Sequence, residues 1–508
     1  MRLIAAVVAA AVLTHLTALG AGFVWLDHAH IEGGAAIAKP SAWPSLFTQG
    51  FAGTGYYRPL TALTLSIDAL FRSPFVFHLT NVVWHALASV FVMKTAEALG
   101  QAKRTALFAG LLFAVHPISA LVANAIAFRS EAMVVVALLG LVWAHLAKRP
   151  VLAAIALLGG ALTKEVALVL GPLFVIALHL DRRLKINRRL FAFEGGALAI
   201  AIALRQTFAP SWRAQHPDLG VSEALGTRLA ALSKSVLAVA IPIDRSICDA
   251  FPITPLSKMP ALAGLIALFA IGFFAYKRRG TAIFLALAIL PSLQLVPVTR
   301  WWSPHYLYVA LAFVAMIVAD VLLAQKHGLK IVSGIAFVLG VLTVLEGRRY
   351  TNDTLLWTPE VARQPACREG QFFLAEAARE AKSWSEAARR YELALAPRPK
   401  ILAYVDRSAT LQNLGTVLLE QGRFHDARVS FEHALEVTVD ETTRREIGHN
   451  LAIAALREGD PATAERTLEA ETARPDAFPA SLLLRAMALE KLGRGEEARA
   501  LRARLPQK

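Results

Sequence analysis

The chain has 508 residues, is 56% hydrophobic, and carries a formal net charge of +15 with a mean hydropathy of +0.49. That apolarity excludes an ordinary soluble protein of this size and predicts a polytopic membrane protein. The basic residues fall in short clusters between apolar runs, which cytoplasmic loops explain, so no nucleic-acid partner is expected.

The first apolar run, about 3–25, is long enough to cross a bilayer. Arg2 and Ala18-Leu19-Gly20 imitate a secretory signal. A retained span is expected instead, because cleavage would strip the following motif of its anchor. Asp27 stands where this run ends, in Phe23-Val24-Trp25-Leu26-Asp27-His28. A carboxylate at the mouth of a membrane helix is costly near lipid, which makes it a functional candidate. Position alone is also met by an acid that merely ends a helix. The chemical alternative is a general base for an acceptor hydroxyl, with its pKa raised by partial desolvation. His28 and His30 leave a divalent metal near Asp27 as an open option, on the weak signal Asp-His-x-His.

A long outer loop follows, about 28–75, broken by Gly33-Gly34, Pro40, Pro44 and Gly53-Thr54-Gly55. Helical apolar spacing over 59–71 predicts an amphipathic surface helix. The loop carries Tyr56-Tyr57-Arg58-Pro59-Leu60. A guanidinium fork beside aromatic faces suits a phosphate or a sugar, and an interfacial aromatic anchor explains the same residues.

Further spans are expected at 76–99, 105–125, 131–147, 150–163, 166–180, 190–208, 259–276, 281–298, 305–324 and 330–346, eleven with the first. With the N-terminus inside, the clusters Lys103-Arg104, Lys148-Arg149, Arg182 to Arg189 and Lys277-Arg278-Arg279 all face the cytoplasm. Residues 226–242 carry Arg228 and Lys234 and read as a helix at the outer interface. In the second span His78, Asn81 and His85 share one helix face, as cavity lining or as interhelical hydrogen-bonding groups. His116-Pro117 bends the third span, and Asn124 and Arg129-Ser130-Glu131 follow. Arg129 has three readings: a contact to an anionic headgroup, a pair with Glu131, or an interfacial anchor. Thr163-Lys164-Glu165 interrupts two apolar runs, either as a polar turn or as a cation aimed at a lipid phosphate with Glu165 orienting it. Arg300-Trp301-Trp302-Ser303-Pro304-His305-Tyr306-Leu307-Tyr308 fits an aromatic belt, and Arg300 and His305 could reach a diphosphate.

After a linker, 348–371, the composition turns charged and Ala/Leu/Glu/Arg-rich. Ala375, Gly415, Ala452 and Ala486 occupy one equivalent position, and Ala387, Ala427, Ala464 and Ala498 another. Tyr391, Phe431 and Leu468 follow, and Gly422, Gly459 and Gly493 mark turns. This resembles about four tetratricopeptide repeats over 372–508. The expected fold is therefore all-α: a polytopic bundle over 1–347 followed by a helical solenoid.

The order of these motifs resembles one family, the transmembrane and tetratricopeptide-repeat-containing O-mannosyltransferases and their bacterial relatives, in the GT-C superfamily. The resemblance covers most of the membrane part, through Phe251-Pro252-Ile253 and Tyr306-Leu307-Tyr308 to Trp357. It implies transfer of a sugar from a polyprenyl-phosphate donor to an acceptor hydroxyl on the outer, periplasmic face of a bacterial inner membrane. It makes Asp27 the catalytic base. It implies that outward-facing Arg and Lys residues bind the donor phosphate; with the motif readings above, the donor phosphate and sugar candidates are Tyr57, Arg58, His116, Arg129, Lys164, Glu165, Arg300 and His305, and the cavity-lining candidates are His28, His78, Asn81 and His85. The repeats would hold the acceptor or a partner protein. Three positions depart from the family: Leu26 replaces the first of two adjacent acids, Leu121 a glutamate after His-Pro, and Pro304-His305 a Glu-Arg pair. A scaffold that has kept the fold and lost the chemistry is the alternative.

Overall fold

A computed structural model describes residues 1–33, 39–51, 55–182, 184–209, 218–243, 246–295 and 298–505. Gly34, Gly53, Thr54 and Arg183 lie outside the described residues, as do parts of the clusters and loops that contain them. The chain is 77% helical with almost no strand. It divides into two compact units, Met1–Leu356 and Trp357–Lys508.

The first unit runs α1 Arg2–Thr14, α2 Pro59–Ala69, α3 Pro74–Ala98, α4 Lys103–Val115, α5 Ile118–Asn124, α6 Arg129–Leu146, α7 Pro150–Ala161, α8 Val166–Arg182, α9 Arg188–Phe208, α10 Val221–Ala240, α11 Met259–Arg278, α12 Thr281–Ala288, α13 Tyr308–Leu323 and α14 Gly328–Gly347. Proline at the first turn starts α2, α3 and α7, where its missing N–H costs no hydrogen bond. Among the described residues six helices are long and apolar enough to cross a membrane. There are seven if α4 and α5, bent by 64° at His116-Pro117, count as one broken span. The expected count of eleven exceeds this for a local reason. The run 3–25 is a 13-residue α-helix followed by a 3-10 turn, Leu16–Gly20. α7, α8 and α12 are likewise too short.

The core gathers Val92 and Met93 of α3, Phe113 of α4, Leu138 of α6, Phe174 of α8, Phe284 of α12 and Phe313 of α13. Phe284 and Phe313 stack at 5.3 Å, with Phe174 edge-on to both. α9, α11 and α14 leave most of their apolar surface uncovered, as lipid-facing helices do. α2 buries polar and apolar residues together: Thr61, Ser66 and Asp68 are buried with Ala62 and Leu65, while Ile67 and, just past its end, Leu70 and Phe71 are exposed.

α15 Asp353–Arg363 runs across the boundary, and the second unit continues through α16 Arg368–Glu380, α17 Trp384–Leu395, α18 Arg407–Glu420, α19 Phe424–Val437, α20 Glu441–Glu458, α21 Pro461–Ala473, α22 Pro479–Lys491 and α23 Gly495–Arg502. From α16 onward each helix packs on the next. Small residues permit the close crossings: Ala375, Ala452 and Ala486 are fully buried, and a Cβ on Gly415 would stand 2.7 Å from the Phe431 ring. Gly422, Gly459 and Gly493 take φ of +75°, +96° and +78°, which glycine adopts without strain.

Candidate functional site

Two polar clusters inside the first unit gather most of the candidate residues. One is built where the Tyr-Arg-Pro motif meets the turn between α7 and α8. Thr61 Oγ1 donates to the Thr163 carbonyl and Leu60 N to the Leu162 carbonyl, which docks the start of α2 onto that turn. Arg58 then reaches Glu165 through Nε and Nη2, at 3.1 and 2.8 Å to Oε2, and Tyr57 N donates to Oε1 at 3.2 Å. The Tyr56 ring lies 4.3 Å from the guanidinium. Burial pulls the Arg58 pKa down, and the facing Glu165 outweighs it and holds the group above its ordinary value.

Lys164 does not pair with its neighbour Glu165. Its ammonium contacts Oε1 of Glu131, on the first turn of α6, and His305 Nε2 lies 3.7 Å from the same oxygen. Burial lowers the Lys164 pKa, and Glu131 offsets part of that. Ser303 Oγ, 2.6 Å from Nδ1, and the Phe128 ring, 4.6 Å away, fix the His305 imidazole. Arg300 lies 5.1 Å from the Trp25 ring, which packs on Phe128. His305 is within electrostatic reach of Lys164, Arg300 and Arg58. His30 is held down to about 3 by burial, with Arg58 and Arg300 adding to the effect. One neighbourhood thus gathers Arg58, Lys164, Glu165, Arg300 and His305 with Glu131, Tyr56 and His30.

The second cluster holds Asp27. Its carboxylate is fully buried; Oδ1 accepts from Ala127 N at 2.7 Å and Oδ2 from Val24 N at 3.3 Å. Burial raises its pKa to about 7 against those amide bonds. Arg129 pairs with Asp68 at 2.5 Å rather than with Glu131, and donates to Asn81 Oδ1 at 2.7 Å and the Phe77 carbonyl at 2.9 Å. It is fully buried, so it is no interfacial anchor. Asp27 and Arg129 feel each other's charge.

The three polar residues of α3 all point inward, each to its own partner. His78 donates to the Gly22 carbonyl, Asn81 meets Arg129, and His85 donates through Nε2 to the Ala114 carbonyl and meets the Tyr308 hydroxyl through Nδ1 at 2.6 Å. His116 spans the α4–α5 break, donating to the Val239 carbonyl while its Nδ1 accepts from Ile118 N. Tyr57 is buried, with its hydroxyl on the Phe47 carbonyl. His28 contacts Glu32 and bonds Asp353 at 2.7 Å; the Asp353 bond, opposed by burial, leads its rise to about 9. Among the described residues no group of three His, Cys, Asp or Glu is arranged to hold a metal.

Glu131 and Asp68 are absent from the set that motif order suggests. An acid in the first turn of an apolar helix was the available signal for Glu131. Asp68 sits in an ordinary-looking amphipathic stretch and carried none.

No family model matches the chain. Among curated proteins, protein O-mannosyl-transferase Tmtc2 of Drosophila melanogaster is 34% identical over 119 residues, 21% of this chain and 13% of the relative. Protein O-mannosyl-transferase TMTC3 of Mus musculus is 35% identical over 141 residues, 26% and 15% of the two chains, and human TMTC3 is 32% identical over 120 residues, 22% and 13%. The matched segments thus cover about a seventh of these relatives' length. The curated homologues of this chain are TMTC protein O-mannosyl-transferases, and the likeness supports placing it in that family.

Proposed function

We propose that the chain is a membrane glycosyltransferase that moves a sugar from a polyprenyl-phosphate donor to a hydroxyl on a protein acceptor. The observation that carries this is the gathering of Arg58, Lys164, Arg300 and His305 in one buried neighbourhood. Arg58 is held rigidly by Glu165 and presents a planar fork, while Lys164 supplies a rotatable ammonium. Such a set suits a phosphate leaving group that gains negative charge as its bond to the sugar breaks. The acceptor oxygen forms the new glycosidic bond and gives up its proton to a base. Asp27 is the proposed base. Its backbone hydrogen bonds leave lone pairs on both oxygens, and a pKa of about 7 suits proton transfer near neutrality. The reaction is assigned to the outer, periplasmic face of a bacterial inner membrane, with the N-terminus inside. The second unit is proposed as a tetratricopeptide solenoid that holds the acceptor or a partner protein. Its support is the recurrence of buried small residues and positive-φ glycines.

Asp27→Asn in membranes supplied with donor lipid is expected to lower sugar transfer by about 10²–10⁴-fold. Transfer at the wild-type rate removes Asp27 from the mechanism. The second reading, a scaffold without catalysis, is favoured by one observation: both Asp27 oxygens already serve backbone amides. Under that reading wild-type membranes transfer no sugar, and Asp27→Asn changes only stability.

A further inference from the structure

We propose that Glu131 is an internal stand-in for the donor phosphate. It holds Lys164 and yields it when the lipid phosphate arrives, so donor binding exchanges one anion for another. This rests on the reading that the Arg58–Lys164 neighbourhood receives a phosphate.

The two carboxylates of the neighbourhood are held differently. Glu165 grips Arg58 with both oxygens and also accepts from Tyr57 N, so it is a fixed part of the frame. Glu131 meets Lys164 and His305 through the same oxygen, Oε1. The cation it holds is also the mobile one: an ammonium on a four-carbon stem re-aims by rotation, whereas a bidentate guanidinium does not. Lys164 sits in the short turn between α7 and α8, beside the Arg58–Glu165 pair. Glu131 does not become stranded when Lys164 leaves. It lies in the first turn of α6, where the helix dipole favours a negative charge, and His305 stays close. The pair itself is nearly sealed from solvent, with Glu131 at 4% exposure and Lys164 at 14%, so a bare ammonium would be costly there without a partner. Glu131 therefore keeps the cation charged and placed until the phosphate takes over.

The test uses the full chain in detergent, with a short-chain polyprenyl monophosphate as probe and the matching prenyl alcohol as control, followed by titration calorimetry. Glu131→Gln is expected to bind the phosphate about tenfold more tightly than wild type, because a competing anion is gone. Lys164→Ala is expected to bind at least about tenfold more weakly. In the Lys164→Ala background, Glu131→Gln is expected to bring no gain, a coupling that a merely structural role for Glu131 does not produce. Should Glu131→Gln fail to fold, Glu131→Asp, which keeps the charge and shortens the reach, carries the same test with a smaller gain. Undiminished binding by Lys164→Ala, or no tightening on altering Glu131, overturns the exchange alone. No binding by wild type or any variant overturns the phosphate-site reading and the exchange with it.

Discussion

Arg129 and Lys164 are both buried cations near the start of an apolar helix, yet their surroundings assign them different work. Arg129 is held through Nε and Nη2 by Asp68, Asn81 and Phe77 on neighbouring α2 and α3, so it ties helices together. Arg129→Ala is expected to destabilise the membrane unit by about 3–5 kcal/mol, because Asp68 is left as an uncompensated buried charge. Thermal unfolding in detergent measures this. Unchanged stability with lost donor binding would return Arg129 to the phosphate site. Asp27 and His28 are adjacent and both lose stability as pH rises, in successive windows. With its folded pKa raised to about 7 from 3.8, Asp27 is deprotonated more readily in the unfolded chain, so it opposes folding increasingly as pH rises from about 4 to 7. The catalytic consequence has the reverse sign: transfer should climb with pH through about 7 as the base ionises, and the rise should be lost in Asp27→Asn. His28, raised to about 9 by its bond to Asp353, contributes stability fully below 6.5 and loses it as pH climbs through about 9. The unfolding temperature of wild type should therefore fall between pH 7 and 10 by more than that of His28→Gln.

At the scale of helices, close approach decides more than hydropathy. α10 and α11 cross so tightly that a Cβ on Gly264 would overlap the Leu229 carbonyl oxygen, and the loop before α11 lies so close to α10 that one on Gly226 would overlap the Thr254 carbonyl oxygen. Small residues at such crossings let membrane helices gain packing that lipid cannot supply. Gly264→Ala meets backbone rather than a flexible side chain, so a cost of about 1–3 kcal/mol is expected, read as lost detergent resistance. Gly272→Ala, on the same helix with open space around it, serves as the neutral control. The element order was legible from apolar runs and breakers. Helix length was not, because the mainly apolar run 3–25 leaves the α-helix after Thr14 for a 3-10 turn, Leu16–Gly20, and hydropathy does not register that change. Nor was the orientation of α2. Its Asp68 turns inward to meet Arg129, a partner 61 residues away (129 − 68), and the period alone does not show which face meets protein.

At the scale of the whole molecule, the chain joins a unit of apolar helices to one of charged helices. Residues 357–508 have their own cores, around Phe431 and Leu418 and around Leu468 and Ala455, made by helices adjacent in sequence. Such an array depends mainly on neighbour contacts. Expressed alone, 357–508 is expected to be helical by circular dichroism and to melt cooperatively; a flat, non-cooperative trace would contradict that independence.

The amino-acid sequence by itself determined the membrane character, the succession of helices, the recurring small residues of the second unit, and the presence of Arg58, Lys164 and Glu165 as polar groups in apolar surroundings. Those properties are local: an apolar run must satisfy its backbone internally, and a charge within one stands out wherever the chain goes. Only the tertiary structure decided that Lys164 pairs with Glu131 and Arg58 with Glu165, that Arg129 belongs to Asp68, and that Asp27 turns its oxygens to Ala127 and Val24. Most of these partners lie 33 to 107 residues apart, and choice among several opposite charges follows from distance in space, which no spacing along the chain encodes.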